Sequence, residues 1–285
     1  MRIAIVGNND GPLTLLKSLK RVEAKPVFIG LQQKLGSELL KKYQQISNDV
    51  QIHEGFDEAK LIILLRNLEV DVLINCFCNF IFKDLLDIYN ILNIHPSPLP
   101  AYRGRHPMHW ALLNGEKEFG ISIHKMTKKV DVGPILWQEK VIIREDWSVV
   151  ELRKVLLEKL ELSFGEFIRK YETGNVIELL PPSKEFSYFR PLEPEDSLIN
   201  DLKDFDNVYR KIMALRAGLY PAYVESDGFK IEFIFAEKNK IETEISETNF
   251  ANNILKIKYP KGYLLYLYSK EKIPFIVKKQ IEKCM

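Results

Sequence analysis

Disulfide chemistry has little to work with here: 285 residues hold three cysteines, Cys76, Cys78 and Cys284. An odd number, two of them inside one apolar run, excludes a small disulfide-stapled scaffold. Cys76-Phe-Cys78 has no second Cys or His pair at metal spacing, so a zinc site is rejected in favour of two buried thiols in a reducing cytoplasm. No apolar run approaches the roughly 20 residues that cross a bilayer. No leader pattern precedes the first strand-like run, Ile3 to Val6. An excess of one charge is also missing: lysine and arginine number 41 against 39 acidic residues, a formal charge of +2. That balance gives no bulk field for nucleic acid, which is not expected as a partner. Gly7-Asn-Asn-Asp-Gly11 lacks the Gly-x-Gly-x-x-Gly spacing of a dinucleotide loop, which argues against NAD.

What is present is an ordinary folded composition, 46% hydrophobic and 28% charged, enough to bury a core. Apolar runs alternate with helical spacing through the first half. Strands are expected at Ile3 to Val6, Pro26 to Ile29, Asp71 to Asn75 and Ile91 to His95. Helices are expected at Leu13 to Lys20, at Leu39 to Gln45, and from a cap at Asp57 through Asn67. This order predicts an α/β fold with a Rossmann-like, mostly parallel sheet that binds ligands at the carboxyl ends of its strands. Gly120 to Met126 alternates as a further strand. Ser148-Val-Val-Glu151 reads as a capping box opening a long helix, and Gly174 as its stop. Pro181-Pro182 divides the chain into a catalytic domain, 1–182, and a linker with a small β-rich domain, 183–285. In the latter, a helix is expected over Val208 to Ala217. Strands are expected at Ala222 to Glu225, Lys230 to Ala236, Ile254 to Lys258, Tyr263 to Tyr268 and Phe275 to Lys278, with turns at Asp227-Gly228 and Lys261-Gly262.

Chemistry concentrates in Asn93-Ile-His-Pro-Ser-Pro-Leu-Pro-Ala-Tyr-Arg-Gly-Arg-His106. Asn93 and His95 are two apart at a strand end and so share a face. Prolines at 96, 98 and 100 forbid the strand from continuing. Arg103 and Arg105 follow with fork-shaped donors suited to phosphate, although either could instead tie the loop to a carbonyl. Lys128-Lys-Val-Asp131-Val-Gly133-Pro134 is a tight turn around an aspartate that spacing alone does not place beside His95. The amides of the Gly7 to Gly11 loop, Asn9 among them, either face a substrate phosphate or form a plain strand-to-helix turn. Tyr188, Phe189, Arg190 and Tyr220 are candidates to sandwich a base, against the competing reading of aromatic core. His109 and His124 are assigned structural roles, His53 a surface position. His106 joins the candidate substrate contacts with a structural role as its default.

Asn93-x-His95, Pro96-Ser-x-Leu-Pro-x-Tyr-Arg-Gly104, Trp110-Ala-Leu-Leu-Asn-Gly115 and Asp131-x-Gly133, in that order, resemble the folate-dependent formyltransferases. The resemblance covers about residues 70 to 140. It implies use of N10-formyltetrahydrofolate without a metal, a catalytic trio of Asn93, His95 and Asp131, and folate contacts at Phe80, Ile81, Lys129, Val130 and Asp131. Arg103-Gly-Arg-His-Pro107, Pro191-Leu-Glu-Pro-Glu-Asp-Ser-Leu-Ile199 and Leu215-Arg-Ala-Gly-Leu-Tyr-Pro221 look most like the branch acting on nucleotide-linked amino sugars. Two departures stand out. Pro98 replaces a leucine, and the loop Cys78 to Phe82 lacks the family's glycine.

Formyl transfer has an amine attack a carbonyl carbon, so negative charge builds on the oxygen and a proton leaves the nitrogen. Asn93 can donate to that oxygen without changing charge. His95 can take the proton or, protonated, donate to the oxygen, and Asp131 would fix its tautomer. The resemblance implies transfer to a dTDP-linked 3- or 4-amino sugar for O-antigen or surface-glycan synthesis. Methionyl-tRNA formyltransferase and a catalytically silent folate or nucleotide sensor stand as alternatives. A homodimer-forming C-terminal domain stands beside a substrate-binding one.

Overall fold

A computed structural model describes residues 1–46, 50–79, 82–181, 186–226, 228–240, 253–259 and 262–274. Two compact units are present. One comprises Met1–Pro107, Glu118–Val141 and Arg153–Phe189; the other comprises Met108–Lys117, Ile142–Leu152 and Arg190–Met285.

The first unit is built on β1 (Ile3–Gly7), α1 (Gly11–Arg21), β2 (Phe28–Leu31), α2 (Ser37–Ile46), β3 (Gln51–Glu54), α3 (Glu58–Asn67), β4 (Val72–Cys76), α4 (Leu85–Ile88), β5 (Asn90–His95) and β6 (Arg103–Gly104). After α5 (Pro107–Asn114) come β7 (Glu118–Lys125), β8 (Ile135–Ile142), α6 (Val149–Glu172) and β9 (Tyr188–Phe189). Among the described residues, seven strands form one sheet in the order β3-β2-β1-β4-β5-β7-β8. β3 through β5 are parallel; β7 runs antiparallel to β5. The expected α/β fold is therefore present. Every residue of β1 and β4 is buried, as strands covered on both faces require. Ala4, Val6, Phe28, Leu73 and Ile91 pack with Leu61 and Leu65 of α3 in one cluster, while Leu13, Leu16, Ile29, Leu31 and Tyr43 form another. Each buried Val, Leu, Ile or Phe side chain among them contributes roughly 1.5–3 kcal/mol.

Local signals set the ends. Asp57 caps α3, accepting from the Lys60 amide at 2.8 Å. Ser148 opens α6: its amide donates to Glu151 at 2.8 Å, and its hydroxyl accepts from the Val150 amide at 3.1 Å. The reciprocal box thus closes on the second helical amide rather than the third. Gly174, at φ +71°, ends α6 in the left-handed region. β2 starts two residues later than the apolar run, at Phe28. β3 and β8 carry no strand signal in the reading above. β3 is an edge strand that alternates exposed and half-buried, so it lacks an apolar run.

The second unit holds α7 (Phe205–Leu215) and an antiparallel sheet, β10 (Ala222–Ser226), β11 (Phe229–Lys240), β13 (Tyr263–Ser269) and β12 (Ile254–Tyr259), in that spatial order. The small β-rich character expected from the sequence is present. α7 is capped by Asp204, which accepts from the Asn207 amide, and it packs on β10 and β11. It lies three residues earlier than its sequence pattern suggested at the start. Gly228 and Gly262 both have φ +76°, the conformation tight turns demand. Asp227, Lys261 and the strand expected at Phe275 to Lys278 lie outside the described residues. No helix among the described residues is long and apolar enough to cross a membrane.

Candidate active site

Three adjacent strands place their side chains in one row. In the sheet register Asn75 of β4 lies opposite Asn93 of β5, and Asn93 lies opposite His124 of β7. Residues paired across neighbouring strands share a face, so the three side chains meet. Asn75 Nδ2 donates to Asn93 Oδ1 at 2.8 Å, and Asn93 Nδ2 is 3.0 Å from His124 Nε2. His124 Nδ1 is 3.0 Å from the Lys125 carbonyl. All three residues are buried.

His95, two residues on, ends β5 on the same face and is 6% exposed. Its Nε2 is 3.0 Å from the Tyr102 carbonyl, which can only accept, so that nitrogen carries the hydrogen. Nδ1 is left as the basic atom, 3.6 Å from Asp131 Oδ2. Asp131 comes from the loop joining β7 to β8 and has φ +52°, a left-handed position that a short polar side chain tolerates. Its Oδ2 accepts from the Gly104 amide at 2.9 Å, and its Oδ1 is 3.5 Å from His124 Nε2. Gly104 has φ +95°, and a Cβ there would lie 2.3 Å from the Phe189 carbonyl, so only glycine presents that amide to the carboxylate.

Electrostatics separate the two groups. Burial raises the Asp131 carboxyl, but its contact with His124, the charge of His95 and the Gly104 amide outweigh that and hold it at about 2. Burial lowers His95 below its ordinary 6.5, against the opposing pull of Asp131 and the Tyr102 carbonyl. At neutral pH the site therefore holds an ionised carboxylate beside a neutral imidazole.

The structure brings Asn93, His95 and Asp131 together, which spacing alone did not. The other expected site residues are distributed more widely. Arg103 is buried, with its guanidinium 4.8 Å from the Phe186 ring centroid. Arg105 is exposed, its Nη2 3.5 Å from the Asn79 carbonyl in the loop after β4. His106 is half-buried with φ +52°, and burial and the Arg105 charge both lower its pKa. Lys129 and Val130 are exposed immediately before Asp131; Phe80 and Ile81 lie outside the described residues. Asn9 is exposed at φ +54°, and its carbonyl accepts from Tyr43 Oη at 2.8 Å. Tyr188 is exposed, whereas Phe189 stacks on Tyr102 with centroids 4.7 Å apart. Arg190 and Tyr220 belong to the second unit. There Arg190 grips Asp196 with both Nη atoms at 2.7 Å, and the Tyr220 carbonyl accepts from Ser197 Oγ.

His124 and Asn75 are the residues that sequence reasoning left out of the site. The one available signal was alternation. His124 shares a face with Ser122 on a strand whose other face is Ile121 and Ile123, and Asn75 is a lone amide in an apolar strand.

A buried amide donor, a neutral imidazole and an ionised carboxylate at the carboxyl end of a central strand are the apparatus of acyl transfer. The formyl transferase family matches residues 2–162. The chain belongs to the formyl transferase family. It is 33% identical over 165 residues to the methionyl-tRNA formyltransferase of Thermotoga maritima, a match covering 56% of this chain and 52%, about half, of that protein. It is 27% identical over 294 residues to the methionyl-tRNA formyltransferase of Clostridium botulinum, covering 92% of this chain and 93% of that one. Two solved structures share the fold. The Helicobacter canadensis N-formyltransferase, in complex with folinic acid and dTDP-3-aminofucose, is 17% identical with a TM-score of 0.70, over 94% of this chain and 99% of that one. HypX from Aquifex aeolicus, in complex with tetrahydrofolic acid, is 16% identical with a TM-score of 0.67, over 94% of this chain but only 43% of HypX.

Proposed function

We propose that this chain moves a formyl group from N10-formyltetrahydrofolate to the amine of a nucleotide-linked amino-deoxysugar, of the dTDP-linked 3- or 4-amino type, in the cytoplasm, for O-antigen or surface-glycan synthesis. The observation that carries formyl transfer is the cluster of Asn93, His95 and Asp131 in a chain of this family. The sugar acceptor is supported by the run Arg103-Gly-Arg-His-Pro107 and by whole-length similarity to a sugar-nucleotide enzyme. Residues 1–182 would form the catalytic part and 183–285 a linker with a small domain that binds acceptor or a second copy.

When bound, the folate supplies the formyl carbon. The donor set fits such a group: one Asn93 N–H engages His124, and the other is free to meet a carbonyl oxygen. Asn93 Nδ2 donates to that oxygen as charge develops on it. His95 Nδ1 takes the proton from the attacking amine, while the Tyr102 carbonyl holds the opposite hydrogen and fixes the tautomer. Asp131 stabilises the imidazolium that results, which returns the proton to the departing donor nitrogen as its bond to the formyl carbon breaks. Lys129, Val130, Phe80 and Ile81 would contribute folate contacts, as the family resemblance implies. Arg103, Arg105 and His106 would face the nucleotide end, with Asn9 near a phosphate and Tyr188 and Phe189 near the base.

A base whose pKa is pushed below 6.5 is neutral at that pH. The acid limb of kcat/KM is therefore expected below that value and should vanish in His95→Asn. An acid limb retained in that variant would remove His95 from the base role.

Methionyl-tRNA is the second acceptor, because both curated relatives above carry that activity. Parallel incubation with dTDP-, UDP- and GDP-linked amino sugars and charged initiator tRNA separates the two. Mass spectrometry is expected to find the gain of one CO on a sugar nucleotide. Product on tRNA alone would overturn the sugar assignment, and no product at all would favour a silent folate or nucleotide sensor.

A further inference from the structure

Asn75 is a buried amide on a central strand of the sheet. It sits in an otherwise apolar, fully buried strand, 4% exposed, and its Oδ1 is buried with no hydrogen-bond partner among the described residues. An amide half satisfied in this way costs free energy relative to an apolar side chain of the same volume. Its Nδ2 donates a 2.8 Å hydrogen bond to Asn93 Oδ1.

Following the hydrogens along the row shows what that bond does. The Lys125 carbonyl accepts from His124 Nδ1. Asn93 presents Nδ2, not Oδ1, to His124 Nε2 at 3.0 Å. Its Oδ1 consequently faces β4, where it needs a donor, and Asn75 Nδ2 is that donor. Asn93 is gripped at both ends, leaving a single N–H uncommitted and fixed in direction. Without Asn75, the Asn93 carbonyl would be buried and unpaired, and the amide would gain by turning away.

We propose that Asn75 is a positioning residue for formyl transfer: it holds the Asn93 amide by its oxygen so that one Nδ2–H points at the reacting carbonyl. The assignment rests on the formyl-transfer function above and adds a part of the machinery outside the Asn, His and Asp trio. Asn75 touches neither donor nor acceptor in this scheme. Its effect should appear in kcat and pass entirely through Asn93.

A double-mutant cycle with N10-formyltetrahydrofolate and whichever acceptor the wild type formylates tests this. Asn75→Leu is expected to lower kcat about tenfold with KM for the donor little changed, and to cost nothing further in an Asn93→Ala background. Additive losses would overturn the proposal, because a residue that only supports the fold acts regardless of Asn93. Asn75→Ser, smaller and still polar, repeats the cycle should the leucine variant fold poorly. A second readout needs no ligand: nitrogen NMR of the 15N-histidine-labelled protein. The His124 Nε2 resonance is expected to move in Asn75→Leu in the direction it moves in Asn93→Ala. An unmoved resonance in Asn75→Leu would overturn the proposal even for a wild type that formylates no acceptor, an outcome that separately defeats the functional assignment.

Discussion

Asn93→Ala is expected to lower kcat by about 10² to 10³, the usual cost of removing one donor aimed at a developing negative charge. KM for the formyl donor should stay within a few-fold, since a bond that strengthens only in the transition state contributes little to ground-state binding. The geometry makes Asn93 hard to replace. Its side chain is 8% exposed and flanked by Asn75 and His124, so water has little room to take over the donor's place. Asn93→Asp is a sharper variant, because it keeps shape while turning the donor into an acceptor, and should be at least as damaging. Steady-state kinetics of both variants check this. A raised KM with kcat intact would make Asn93 a binding residue rather than a catalytic one.

Gly133→Ala is expected to be nearly as severe although the glycine touches none of the reacting groups. A Cβ at this position would lie 1.8 Å from the Lys125 carbonyl oxygen and 2.9 Å from its carbon. Both atoms are backbone, and the Lys125 amide is itself tied to the Pro134 carbonyl at 2.9 Å, closing the same loop. The added methyl must therefore push the two arms of the loop apart, and Asp131 sits two residues from the pivot. Overpacking of this kind destabilises by about 1–3 kcal/mol or more. A displacement of about 1 Å in a catalytic group can cost about 10² in rate. Urea unfolding and kcat/KM measured on one preparation should show both losses. Full activity in a destabilised variant would show that the carboxylate does not need its present distance from His95.

The buried strands and capped helices of the first unit were legible because a parallel sheet covered on both faces writes itself as apolar runs. Asp57 and Gly174 marked helix ends through their own side-chain and backbone chemistry. β3 was not legible, since an edge strand with one exposed face needs no apolar run. Neither was the meeting of His95 with Asp131. It depends on β7 pairing antiparallel with β5, which no local pattern specifies. Asn93 and His95 could be paired by their two-residue spacing, whereas Asn75 and His124 join them only through register between strands distant in sequence. Phe189 is a further contact that was not legible. An aromatic in a candidate substrate stretch is stacked on Tyr102, and nothing in its neighbours' identities distinguishes that packing from an open ring.

The row from Asn75 through Asn93 to His124 lies on strands with hydrogen-bonded neighbours on both sides. Backbone amides in such strands exchange with solvent only through the largest, rarest openings of a protein. The side chains of this row are thus anchored in the slowest-exchanging tier of the molecule. Asp131 instead lies on an irregular connection, held there by the Gly104 amide. On the proposed function the Asn93 amide would keep its aim while ligands come and go, so that little reorientation would remain to be done when charge moves.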